Sequence, residues 1–239
     1  MTEDVEKQTI LEHIQDLRSR LFRAIIALVI GAILGSLATN PAIRVLVRPL
    51  QEADVIVLSP TEAPIIYFKV ALFLGFVIAL PYIAYQIYAF VRPGLYPNEK
   101  KIFLLAIPAV FILFLLGATF TLTILIPFSI PVLMGFLREV VTPTYSLEQY
   151  LSFVTTLLFW MGLLFQTPLV IYILARVGIV EPKTLKKARK LIIFAAALLA
   201  AIITPTTDPV TMLLVMGPFV VLYEVGIVLA GVALRQKRT

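Results

Sequence analysis

The sequence predicts an all-α polytopic membrane protein with six transmembrane helices, and three observations carry that reading. The 239 residues are 60% hydrophobic and only 14% charged, with a mean hydropathy of +1.00, far above that of a soluble domain. Six apolar stretches recur at lengths close to the roughly 20 residues that cross a hydrocarbon core. The intervening segments each contain proline or a charge cluster, and their lysines and arginines are distributed unevenly.

The chain begins with an acidic, amphipathic tail over residues 1–20, in which "HIQDLRSRL" places Ile14, Leu17 and Leu21 at helical spacing. It lacks a basic start and a small-residue cleavage site, so no cleavable signal peptide is expected. The spans follow at about 21–38, 65–90, 102–126, 151–175, 191–204 and 210–232, within one integral membrane domain covering 1–239. The segment 39–64 contains "PAIRVLVRPL", where Ile43, Leu46, Val47 and Leu50 predict a short amphipathic helix lying on the outer surface. The segment 127–150, with "PVLMGFLREVV", predicts a second. The fifth span is short: about 14 apolar residues at 1.5 Å each give only ~21 Å of helix. Pro218 and Glu224 interrupt the sixth. Such short spans predict local thinning of the bilayer beside them.

Orientation follows from charge, because short loops rich in lysine and arginine stay on the cytoplasmic side. The tail together with Arg23, the segments 91–101 and 176–190, and the C-terminal "RQKR" hold sixteen of the 20 basic residues. Both termini and the loop "VRPGLYPNEKK" are therefore expected in the cytoplasm, and an even number of spans, which puts the two termini on one side, agrees. The net charge of +6 reflects this topology. Without a polar, aromatic-studded groove, it does not point to nucleic acid.

Several chemistries are excluded at once. The absence of cysteine removes disulfides and thiolate sites, and a single histidine, His13, cannot form a catalytic metal cluster. No metal or other cofactor is expected, and no GxxxxGK[ST] phosphate loop is present. A membrane enzyme would lack both nucleophile and base. A small secondary transporter with Gln166, Glu224 and Lys69 around a midplane site is the alternative, but the repeated halves usual in transporters are not seen.

The polar residues that remain each admit a plain structural reading. Asp16 can pair with Arg20 at i, i+4, and Glu99 can meet the positive end of a helix dipole. Gln166 can bridge helices, Lys69 can snorkel outward, and Glu224 can form an ion pair at the cytoplasmic boundary. The sharper reading joins Asp16 and Glu99, two carboxylates in otherwise basic cytoplasmic segments, into an anionic site for guanidinium groups. The aromatic run Tyr82, Tyr85, Tyr88 and Phe90 reads as an interfacial belt.

Five stretches in order resemble the TatC family of the twin-arginine protein translocase. They are "HIQDLRSRL" at 13–21, "LSPTEAP" at 58–64, "FVRPGLYPNEKK" at 90–101, "FQTPLVIYIL" at 165–174 and "TPTTDPVTMLLVMGPFVVLYEVGI" at 204–227. The resemblance implies a concave six-span bundle with an outer cap in the prokaryotic cytoplasmic membrane. It implies a receptor, without covalent chemistry, for the paired-arginine signal peptides of folded cargo. Export would draw on the proton gradient, in a multimeric complex with single-span TatA and TatB subunits. Asp16 and Glu99 match the family's signal-binding acids, with Arg18 beside them in the tail motif. Gln166, Glu224 and Asp208 are the intramembrane polar candidates. The chain departs from the family pattern twice: Asp16 replaces the usual glutamate and is one methylene shorter. Gln166 stands where a glutamate is common, which removes a titratable group.

Overall fold

Proline placement and small residues decide where the apolar stretches bend, break and touch. The computed structural model describes residues 10–50, 55–135, 145–204 and 208–238, with the backbone alone described at some positions, among them Asn98 and Glu99. The described residues form eight α-helices: α1 Ile10–Val47, α2 Glu62–Val91, α3 Pro97–Phe120, α4 Ile126–Gly135, α5 Leu147–Leu164, α6 Thr167–Val177, α7 Pro182–Ile203 and α8 Pro209–Arg238. Among the described residues, five helical segments are long and apolar enough to cross a membrane: Glu12–Leu50, Glu62–Gly94, Ile102–Leu133, Leu147–Val177 and Pro209–Arg235. The apolar stretch 191–204 falls outside that set. It forms only the second half of α7, whose first half carries Lys183, Lys186, Lys187, Arg189 and Lys190.

Two breaks have explicit backbone causes. Between α3 and α4 the helix widens to a π turn over Thr121–Leu125, where the Ile126 N–H bonds the Thr121 carbonyl five residues back. Pro127 follows immediately and has no N–H to give the Thr123 carbonyl, so the regular ladder cannot continue. Hydroxyls of Thr121 and Thr123 instead donate to the carbonyls of Gly117 and Thr119, each at 2.8 Å. The second break parts α5 from α6 at Phe165 and Gln166, just ahead of Pro168 in the first turn of α6. A single fourth span over 151–175 is thus two helices. Gly178, at φ 92°, then closes α6 in the left-handed conformation that glycine adopts without a Cβ penalty.

The expectation of a separate surface helix in 39–64 is corrected. Ile43–Val47 are the last turns of α1, which runs through Pro41 and ends in a 3-10 turn at Arg48–Leu50. Leu46 and Leu50 are buried in the main core, and the Tyr150 hydroxyl donates to the Leu46 carbonyl at 2.8 Å. That apolar stripe faces protein rather than lipid. In the second segment, Pro131–Gly135 complete α4, and residues 136–144 lie outside those described. The two connecting segments are joined by a parallel two-residue pairing of β1 Val55–Ile56 with β2 Tyr145–Ser146.

Helix α1 packs antiparallel on α2, since Gly31 meets Gly75 while Gly35 meets Ala71. Without a hydrophobic driving force in lipid, small residues let two backbones approach closely enough for dispersion to hold them. The Tyr67 hydroxyl fastens this pair by donating to the Ser36 carbonyl at 2.8 Å. The main core lies among the end of α1, α4, α5, α7 and α8, around Leu125, Leu157, Met161, Ile203 and Val215. The outward face of α1, with Phe22, Ile33 and Leu37, is left exposed for lipid.

Candidate functional site

The two carboxylates singled out from the sequence belong to segments that meet at one end of the bundle. His13, in the first turns of α1, stacks on Phe90 at the end of α2, with ring centroids 4.3 Å apart and planes at 26°. After Phe90 the chain makes a 3-10 turn over Arg92–Gly94, buries Leu95 and enters α3 at Pro97. Glu99 is thereby in the first turn of α3, and its side chain lies outside the described residues. Asp16 lies one turn beyond His13 on the same helix face. It accepts from Arg20 Nε at 2.7 Å, the i, i+4 pair. Arg18 is exposed beside it.

An aromatic row descends α2 next to this end. Tyr82, Tyr85 and Tyr88 are spaced with successive centroids at 6.3 Å, and Tyr88 continues to Phe103 of α3 at 6.5 Å. The rings therefore tie the end of α2 to the start of α3, the two elements on either side of the "VRPGLYPNEKK" loop.

The intramembrane polar groups separate into three places. Gln166 sits at the break between α5 and α6, where its backbone N–H turns to Leu163 at 3.0 Å instead of the helical partner Gly162. Its Nε2 takes over that abandoned carbonyl at 3.2 Å and reaches Val110 of α3 at 3.1 Å. Its Oε1 is buried without a hydrogen bond. Glu224 of α8 pairs with Arg189 of α7 at 2.6 Å, both about half exposed, while the neighbouring Tyr223 hydroxyl donates to the Leu185 carbonyl at 2.8 Å. Asp208 caps α8, its Oδ1 accepting from the Thr211 N–H at 2.7 Å. The structure thus brings Asp16 toward the Glu99 segment but does not gather Gln166, Glu224 and Asp208 into one cluster.

Among the described residues no group of histidine, aspartate and glutamate could hold a metal ion. The arrangement offers charge, hydrogen bonds and a helix groove.

Residues 12–218 match the family described as Sec-independent protein translocase protein (TatC). The chain belongs to the TatC family. It is 37% identical over 233 residues to the TatC protein of Aquifex aeolicus (strain VF5), spanning 95% of this chain and 96% of that one. It is 35% identical to TatCy of Bacillus subtilis (strain 168), over 97% of this chain and 92% of the relative. A crystal structure of the twin-arginine translocase receptor TatC superposes with a TM-score of 0.84 at 37% identity, covering 93% of this chain and 99% of that one. As in the rest of the TatC family, the protein is a multi-pass membrane component of protein transport and not an enzyme.

Some polar members of this TatC chain escape sequence reasoning. Lys69 donates to Ser152 at 2.5 Å and lies 3.5 Å from Glu148, across 83 and 79 positions of sequence. Buried Glu62 stands 3.5 Å from the Ser146 hydroxyl. Only the local half of this had a signal: "SLEQ" at 146–149 is a capping box pattern, and Ser146 does accept from the Gln149 N–H at 3.4 Å.

Proposed function

We propose that this chain is the twin-arginine signal-peptide receptor and core subunit of a translocase exporting folded proteins, with Asp16, Glu99 and Arg18 at the peptide site. The observation that carries the reading is the His13–Phe90 stack, which holds the Asp16 turn against the helix end leading to Glu99. Asp16 holds Arg20 through a single nitrogen contact. An incoming guanidinium that binds in two-pronged fashion displaces it with a net gain of one charge-assisted bond. The expected result is that a twin-arginine peptide binds the protein in detergent at least tenfold more tightly than its twin-lysine control, because only guanidinium presents the planar fork. Equal affinity for the two peptides refutes the assignment.

In this reading both termini and the loop 91–101 face the cytoplasm, and the proton gradient drives export. Cysteines placed at Asn98 and Ser59 label from opposite sides of the membrane with an impermeant reagent. Labelling of both from one side overturns the orientation. The short apolar half of α7 and its neighbour α8 thin the bilayer locally and offer the docking place for single-span TatA and TatB subunits.

Gln166 supplies the polar contact within the membrane. Leucine at this position leaves the Gly162 carbonyl, already without its helical N–H, unbonded at a cost of about 1–3 kcal/mol, and removes the second bond of the Val110 carbonyl, which stays in the α3 ladder. A neutral carboxyl at 166 keeps one donor. Gln166→Leu is therefore expected to lower thermal stability and export more than Gln166→Glu, measured on the same preparations. Normal export by the leucine variant reduces Gln166 to packing.

A further inference from the structure

The end of the bundle opposite the start of α1 and the end of α8 contains a cavity of about 800 Å³ that the receptor reading leaves unused. Its walls are apolar, with Ile130 of α4, Phe153 of α5 and Ile203 of α7, and its polar members include Lys69, Glu148 and Ser152. The Asp16–Arg20 and Arg189–Glu224 pairs close to 2.7 and 2.6 Å. Lys69 and Glu148 remain 3.5 Å apart because Ser152 lies between them. Its hydroxyl accepts from the Lys69 ammonium at 2.5 Å and donates to Glu148 Oε1 at 3.2 Å. The separation exceeds the roughly 2.7–2.9 Å of a charge-assisted N–H···O bond. The cavity therefore presents a positive and a negative group, neither fully used, beside apolar walls.

We propose that this cavity is a binding site for one zwitterionic phospholipid carrying a primary amine. The lipid phosphate bonds Lys69, the lipid ammonium bonds Glu148, and the start of an acyl chain lies along Ile130, Phe153 and Ile203. Net charge decides among lipids. An anionic headgroup gains from Lys69 but meets the Glu148 carboxylate, whereas a zwitterion satisfies both. A quaternary amine has no N–H to donate to Glu148, so choline lipids bind less well than ethanolamine lipids. Size decides against a partner's transmembrane helix. A 20-residue helix about 10 Å wide and 30 Å long occupies roughly 2,400 Å³, several times the cavity.

The test is native mass spectrometry of the delipidated full chain in detergent, titrated separately with phosphatidylethanolamine, phosphatidylcholine and phosphatidylglycerol. The wild type is expected to retain one phosphatidylethanolamine about tenfold more tightly than either of the others. Lys69→Gln is expected to weaken that retention about tenfold. Glu148→Gln leaves Lys69 without its carboxylate and is expected to invert the preference toward phosphatidylglycerol. Thr156→Trp, which fills the cavity without changing charge, is expected to abolish retention of all three while the protein keeps its thermal transition. Free phosphoethanolamine, which has the headgroup but no acyl chain, is expected not to compete. Equal retention of the three lipids by the wild type, an unchanged preference in Glu148→Gln, or competition by free phosphoethanolamine overturns the site. So does a photocrosslinker at position 156 that traps a protein helix instead of lipid in native membranes.

Discussion

Gly75→Val is expected to cost the largest share of stability of any single substitution in the α1–α2 pair, lowering the thermal transition in detergent and exposing the α1 interface to proteolysis. A Cβ on Gly75 lies 2.3 Å from the Ala32 nitrogen and 2.4 Å from its Cα, and a Cβ on Gly31 lies 2.4 Å from the Gly75 carbonyl oxygen. These neighbours are backbone, so no side chain can rotate aside and the helices must separate. Ordinary overpacking costs about 1–3 kcal/mol, and here the relief must also sacrifice the Tyr67–Ser36 hydrogen bond and the dispersion along the whole seam. The damage reaches function, because the same interface carries His13 onto Phe90 and hence Asp16 toward the Glu99 segment. Signal-peptide affinity is therefore expected to fall together with stability. Gly217→Ala is the control: a Cβ there meets nothing within 4 Å, and alanine favours a helix over glycine by up to about 1 kcal/mol. If Gly75→Val melts with the wild type, the close approach does not hold these helices.

The apolar stretches were legible in the sequence because hydrocarbon imposes length and apolarity on each helix directly. What covers a stripe was not legible. Leu46 and Leu50 repeat with helical spacing whether the stripe meets lipid or protein, and only the fold shows that they enter the core under Tyr150. The break at Gln166 was half visible, since Pro168 must orphan a carbonyl four residues earlier. That the glutamine side chain repairs the Gly162 carbonyl depends on the turn geometry, which no spacing rule gives. The fifth apolar stretch was recognisable as short, and the fold shows that it is only the second half of α7, whose first half is basic. Long-range pairs left no trace at all. Lys69 reads as a lone cation in a span, and its partners Ser152 and Glu148 arrive only when α2 and α5 are packed together. In the tail the i, i+4 pairing of Asp16 with Arg20 was explicit in the sequence, and it is compatible with the ligand, because a local helix pair of about 0.2–0.5 kcal/mol is readily exchanged for a two-pronged one.

Asp16→Asn and Glu99→Gln are each expected to weaken twin-arginine peptide binding by tenfold or more while leaving the fold intact. A hydrogen bond to a charged group contributes about 1.5–3 kcal/mol, and ~1.4 kcal/mol corresponds to a decade in affinity. Both amides keep the shape of the acid, so any loss reports charge. If the carboxylates serve only as a part-buried i, i+4 ion pair and a helix-dipole contact, each contributes about 1 kcal/mol or less and peptide affinity barely moves. Arg20 separates the two accounts further. Arg20→Met removes the internal competitor for Asp16, so the receptor account expects tighter peptide binding in that variant, whereas the structural account expects only a small loss of helix stability. The arginine-over-lysine preference is expected to shrink in both acid variants and to persist in Arg20→Met, because the carboxylates that receive both prongs of the guanidinium fork are lost in the first case and kept in the second. Should Asp16→Asn and Glu99→Gln leave affinity and export unchanged in a protein that melts normally, the two carboxylates are helix-start and surface residues, and the peptide site must be sought elsewhere on the bundle.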